Sequence, residues 1–244
     1  MMDSALISEP PRPAAGTVHS YSVRICHWIN VVACVYLLWS GVHILLDFPE
    51  LYWGHTGYRG YPAAFRLADW GLSWDDAGKL GDRRWGRNYH FTFAWVFLIN
   101  GLVYVGWNLY SRHFRNQMLP ARHELTLANV RTELLDHVRW RSRTHASDGL
   151  PRAQSRGSYG SLQKLSYLIL IFVFVPLMIL TGIAQSPGLT AAMPWLLDLF
   201  GGRQSARTLH TIGTVALVLF VIVHVVEVAA AGFFVKVRSM ITGK

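Results

Sequence analysis

TLHTIGTVALVLFVIVHVVEVAAAG, residues 208–232, decides the fold. It is a continuous apolar run broken by one acid, Glu227, and two imidazoles, His210 and His224. About 20 such residues suffice for a helix to cross a bilayer. The two histidines are fourteen residues apart. On an α-helix that is a rise of about 21 Å and a rotation only about 40° short of whole turns. One face of one membrane helix therefore carries two histidines, one toward each side of the bilayer.

Three further segments are long and apolar enough to span: residues 24–46, 89–110 and 162–184. The chain has 244 residues, 52% of them hydrophobic and only 15% charged, which is a membrane composition rather than a soluble one. The expected fold is an all-α integral membrane protein, a four-transmembrane-helix bundle over residues 21–235. Residues 1–20, rich in proline and without pattern, read as a disordered tail. Residues 236–244 read as a second tail. The first span carries His27 and Asn30 and has no small-residue cleavage site, so it reads as an anchor rather than a signal peptide.

Charge sets the expected orientation. With the amino terminus inside, the inside holds Arg12, Arg24, the arginines of loop 111–161, Lys164, Lys236, Arg238 and Lys244, well over half of the 23 basic residues. The outside holds Arg59, Arg66, Lys79, Arg83, Arg84, Arg87, Arg203 and Arg207, partly offset by acids in the loop between the first two spans. Both termini are expected in the cytoplasm, in a bacterial inner membrane. The +9 net charge is then a matter of topology and lipid, and no nucleic acid partner is implied. Leu127, Val130, Leu134 and Val138 fall at helical spacing and predict a helix on the inner surface. MPWLLDLFGG, residues 193–202, predicts a short interfacial helix outside. Cys26 and Cys34 read as small packing residues. No Cys-x-x-Cys-His is present, so covalent haem attachment has no support.

The histidines fall into two depths. The spans alternate in direction, so His27 and His224 lie toward the inside, and His90 and His210 toward the outside. A single histidine in a membrane helix commonly serves as an interhelical hydrogen-bond partner. Four at two matched depths call for a shared account, because intramembrane ionisable groups are costly. Zinc wants four ligands around one point, whereas the pairs stand about 20 Å apart. Imidazole is a usual axial ligand of b-type haem iron, so the spacing points to two bis-histidine haems. Gly213, Ala216, Ala94 and Gly101 share the histidine faces and would leave room for such a group. Arg87 and Arg207 on the outside and Arg24 on the inside are candidates for holding propionates, since a guanidinium pairs with a carboxylate through two bonds. Quinone needs a polar contact near the haem it serves. Asn30, one turn from His27, and Glu227, one turn from His224, are the candidates. His43 reads as lid or packing.

RICHWINVVACVYLLWSG (24–41), GRNYHFTFAWVFLINGLVY (86–104) and QSARTLHTIGTVALVLFVIVHV (204–225) resemble the bacterial dihaem cytochrome b family. That family includes membrane subunits of nickel–iron hydrogenases, formate dehydrogenases and thiosulfate reductases, and the thiosulfate reductase type is the nearest likeness. The resemblance implies a four-helix bundle with two haems b, His27 and His224 ligating one, His90 and His210 the other. It implies electron exchange with quinone at one haem and with an extracytoplasmic redox subunit, of the molybdopterin oxidoreductase type, at the other. The chain would then be an electron-transfer subunit rather than a self-sufficient catalyst. A stand-alone superoxide:quinone oxidoreductase of the same fold is the alternative, and a haem-free anchor a third.

Overall fold

The computed structural model describes residues 20–111 and 161–243. The inner-surface helix expected around 127–138 lies outside the described residues. Among the described residues, four helices are long and apolar enough to cross a membrane. α1 is Tyr21–Asp47, and after a short α2 at Trp74–Leu80 comes α3, Arg83–Tyr110. α4 runs from Ser161–Ile169 through a π-turn at Leu170–Phe174 into Val175–Gln185. Two short helices follow, α5 at Pro187–Ala192 and α6 at Trp195–Leu199, then α7 at Arg203–Ala230 and α8 at Phe233–Thr242.

The spans sit where hydropathy puts them, but α3 and α7 begin several residues earlier than expected. The reason is local. The Asp82 carboxylate caps α3 by accepting from the Trp85 amide at 3.1 Å, and Gly202 opens α7. Each helix of 28 residues is about 42 Å long, more than the roughly 30 Å of hydrocarbon. The arginines at their starts therefore project beyond the apolar layer. The π-turn in α4 has a cause in Pro176, which lacks an N–H and whose ring would strike the carbonyl four residues back.

The helices pair two by two. α1 lies along α3, and α4 along α7. The buried residues of α1 are Cys26, Ala33 and Ser40, one small-residue stripe repeating every seven positions. Small side chains let membrane helices approach closely, because dispersion rather than the hydrophobic effect holds them in lipid. Asn100 of α3, itself buried, bridges this seam: its amide donates to the Cys26 carbonyl and to the Asn30 side-chain oxygen, both at 2.8 Å. Among the described residues, no helix of one pair packs along a helix of the other. The wide outer faces carry exposed apolar side chains such as Val35, Leu102 and Leu219, as lipid contact requires.

One end of the bundle is capped. Residues 48–82 hold a two-stranded antiparallel sheet, Glu50–Leu51 with Phe65–Arg66, a 3-10 turn at Leu67–Trp70, and α2. This cap is zipped to the start of α7. Thr208 donates to the Tyr52 carbonyl at 2.7 Å, and the Gly54 amide donates to the Ser205 hydroxyl at 2.7 Å. Arg207 donates to the carbonyls of Glu50 and Phe48. Gly202 makes the seam possible: its φ is +115°, and a β-carbon there would lie 2.4 Å from the Gly54 oxygen. The stretch 193–202, expected as one short interfacial helix, holds α6 at Trp195–Leu199, with α5 just before it.

At the opposite end α7 stops at Ala231, and Gly232, with φ +98°, turns the chain into α8. Arg24 and the Trp28 indole donate to the last carbonyls of α8, at Met240 and Ile241. The two ends are hereafter the loop end and the tail end.

Candidate functional site

The four histidines come together in two pairs, each between the helix pairs. His90 of α3 faces His210 of α7 at the loop end, with ring centroids 6.1 Å apart and planes at 67°. His27 of α1 faces His224 of α7 at the tail end, with centroids 6.4 Å apart and planes at 65°. An imidazole nitrogen sits about 2 Å from a bound metal, and the ring centre lies about 1 Å behind it, so two rings ligating one iron from opposite sides have centroids about 6 Å apart. Both pairs meet that separation. Among the described residues no three His, Cys, Asp or Glu side chains converge, so each pair supplies two protein ligands and no more. Two axial donors facing across a slot suit a planar macrocycle that brings its own equatorial nitrogens. They do not suit tetrahedral zinc.

The loop-end pair is framed by residues that sequence spacing did not single out. Ser40 Oγ lies 3.0 Å from His90 Nδ1, and Thr181 Oγ1 lies 3.0 Å from His210 Nδ1. Beside each hydroxyl is a glycine. A β-carbon on Gly41 would sit 3.5 Å from His90 Cε1, and one on Gly182 would sit 3.4 Å from His210 Cε1. These glycines, on α1 and α4, leave open the edges of the two rings. Of the glycines expected to make room, Gly213 instead meets Met178, and Gly101 faces open space. The usable signal was a hydroxyl–glycine dipeptide at matching depth in the first and third spans.

The tail-end pair has a different surround. His27 packs edge-on against Trp28, with centroids 5.5 Å apart, and His224 lies parallel to Phe220 at 6.4 Å. Asn30 is one turn from His27, and its side-chain oxygen accepts from Asn100. Glu227 is exposed. Asn100 was not singled out from sequence, because one asparagine in an apolar run does not reveal its partner.

The arginines divide by occupation. Arg207 is spent on the cap carbonyls and lies 4.8 Å over the Phe48 ring. Arg24 is spent on the end of α8. Arg87 lies 5.9 Å over Phe91 and lines an open cleft of about 630 Å³ with Arg83, Arg84, Asp47 and Asp82. Arg83 pairs with Asp47 at 3.0 Å. His43 packs edge-on against Trp39, 4.9 Å between centroids, in line with a packing role.

Four apolar helices define a multi-pass membrane protein, and its two facing imidazole pairs form slots that a haem would fit. The chain belongs to the prokaryotic cytochrome b561 family, whose model matches residues 18–243. It is 30% identical over 212 residues to a protein of Azospira oryzae named as a candidate protein-methionine-sulfoxide reductase subunit, YedZ1, covering 87% of this chain and 90% of the relative. It is 25% identical over 231 residues to a Cupriavidus necator protein named as a probable Ni/Fe-hydrogenase B-type cytochrome subunit, covering 91% and 82%. A Bradyrhizobium diazoefficiens protein of the same name is 23% identical over 245 residues, covering 93% and 85%. No solved structure matches the chain. The chain is thus a multi-pass membrane b-type cytochrome of the bacterial inner membrane, working in electron transfer with a redox partner.

Proposed function

We propose that the chain carries electrons across the membrane through two b haems, one held by His27 and His224 and the other by His90 and His210. The observation that carries this is the equal facing of the two pairs, with centroids 6.4 and 6.1 Å apart on opposite halves of one helix. When bound, the haems supply one-electron exchange at iron. The protein would supply the imidazole nitrogens of His27, His224, His90 and His210, the burial and the neighbouring charges. Both termini face the cytoplasm in this proposal, which places the tail-end pair near the inner leaflet. Quinone exchanges electrons there, with Asn30 and Glu227 as its candidate contacts. At the loop end the cap docks an extracytoplasmic redox subunit, of the molybdopterin oxidoreductase type in the narrowest form of the proposal. Likeness to relatives named as subunits of a reductase and of hydrogenases favours such a partner. Arg87 is the arginine best placed for a propionate, since Arg24 and Arg207 already hold backbone carbonyls. One electron crossing the whole field costs or yields about 2.3 kcal/mol per 100 mV, so the relay is coupled to membrane potential.

A second reading, superoxide:quinone oxidoreductase, is favoured by one feature, the cleft where Arg83, Arg84 and Arg87 outnumber Asp47 and Asp82, with Arg83 paired to Asp47. A net positive lining of this kind would favour a small anion. The test is quinol oxidation by the purified chain in lipid. Haem reduction by a short-tailed ubiquinol, lost with Asn30→Leu and Glu227→Leu together, is the expected result. An unchanged rate would sink the tail-end quinone site. Superoxide consumption coupled to quinone reduction by the chain alone would establish the second reading.

A further inference from the structure

We propose that Ser40 and Thr181 are a matched pair of positioning residues, which fix His90 and His210 from the two sides of one iron and set the reduction potential of the loop-end haem. The proposal rests on the two-haem reading above.

A hydroxyl has one proton to give. Ser40 gives its proton to the carbonyls of the preceding turn, Tyr36 at 2.6 Å and Leu37 at 3.2 Å. Toward His90 Nδ1, 3.0 Å away, the oxygen can then only accept. His90 must carry its proton on Nδ1, which leaves Nε2 with the lone pair a metal requires. Thr181 repeats this atom for atom. It donates to Leu177 at 2.7 Å and Met178 at 3.2 Å and faces His210 Nδ1 at 3.0 Å. The carbonyls three residues before each hydroxyl, Leu37 and Met178, lie near the same two rings, and a carbonyl accepts only. Tautomer and ring direction are therefore set for both ligands by one device used twice.

The device has a sequence form, LLWSGV at 37–42 and MILTGI at 178–183. Each copy stands on the first helix of a helix pair and serves the histidine on the second. The glycine after the hydroxyl keeps the ring edge clear. Hydrogen bonds of this kind orient a ligating histidine, raise its basicity and thereby tune the metal.

The test is a redox titration of the full haem-loaded chain in lipid nanodiscs, with low-spin ferric EPR on the same samples. Ser40→Ala and Thr181→Ala each remove one acceptor but keep the backbone carbonyl, so the haem stays. The weaker donor favours the ferric state less. Each variant should raise the potential of the same single component and leave the other unmoved, and the double variant should raise it further. Haem affinity at that site should fall about tenfold. Ser40→Thr and Thr181→Ser keep the oxygen and should hold the wild-type potential and EPR signal. Loss of the component in an alanine variant with its retention in these two supports the proposal as well. Potentials unmoved in both alanine variants, shifts in different components, or equal shifts from the conservative variants would overturn it. One haem per chain in the wild-type sample overturns the two-haem reading, and the shifts on its component still decide the positioning claim.

Discussion

At the loop end, His90 and His210 face each other beneath a cap sewn to α7 by Arg207, Thr208 and Ser205, with Ser40 and Thr181 behind the rings. At the tail end, His27 and His224 face each other with Trp28 and Phe220 as ring neighbours, one turn from an asparagine pair. The separations nearly coincide and the surroundings do not. In the two-haem proposal, ligation would fix the distance between two imidazoles, whereas everything behind them is free to differ, and with it the potential and the access each site offers. On that proposal the same chemistry at iron would be tuned twice within one helix bundle.

The comparison breaks most completely at the ligands. Two haems per chain are expected in the wild type. His210→Ala or His90→Ala should leave only the tail-end haem, and His224→Ala or His27→Ala only the loop-end one, as read by haemochrome quantitation and difference spectra. Next come the glycines. Gly182→Leu or Gly41→Leu fills the ring edge at the loop end and should remove that haem alone, with tail-end absorbance kept. Gly202→Ala sharpens the comparison by loosening only the cap. Its left-handed backbone costs about 1–3 kcal/mol once a β-carbon is present, and the Gly54 oxygen must move as well. In thermal melts followed at both haem bands, the loop-end band should be lost at lower temperature than the tail-end band. Asn100→Leu has the smallest expected effect. It deletes two hydrogen bonds near His27 and should lower stability by about 1–2 kcal/mol, shifting the tail-end signal and sparing the loop-end one.

Much of this was legible in the chain. Spans are readable because lipid demands about 20 apolar residues in a row. The pairing of histidines is readable because helix pitch converts spacing into depth. What stayed hidden has a different character. Ser40 and Thr181 carry meaning only through their neighbours on another helix, and single serines and threonines are ordinary in membrane helices. Arg207 has the charge and position of a propionate ligand, yet its donors go to the carbonyls of a cap whose fold no periodicity announces. The early starts of α3 and α7 escaped because hydropathy ends where the membrane does, while Asp82 and Gly202 set where the helices begin.

The loose seam between the two helix pairs bears on how the protein is made. α1 with α3, and α4 with α7, are each self-consistent hairpins with a seam of their own, and along the spans what lies between them is a pair of slots lined by imidazoles, closed by the cap at one end and by the bonds of Arg24 and Trp28 to α8 at the other. Each hairpin can enter the bilayer as a unit, before any haem is available. In the two-haem proposal, ligation completes the joining that the cap and α8 begin, and its binding free energy adds to folding free energy. A cell short of haem would accumulate inserted but unassembled hairpins, open to the proteases that survey the membrane, so the abundance of the finished protein would follow cofactor supply rather than its own rate of synthesis.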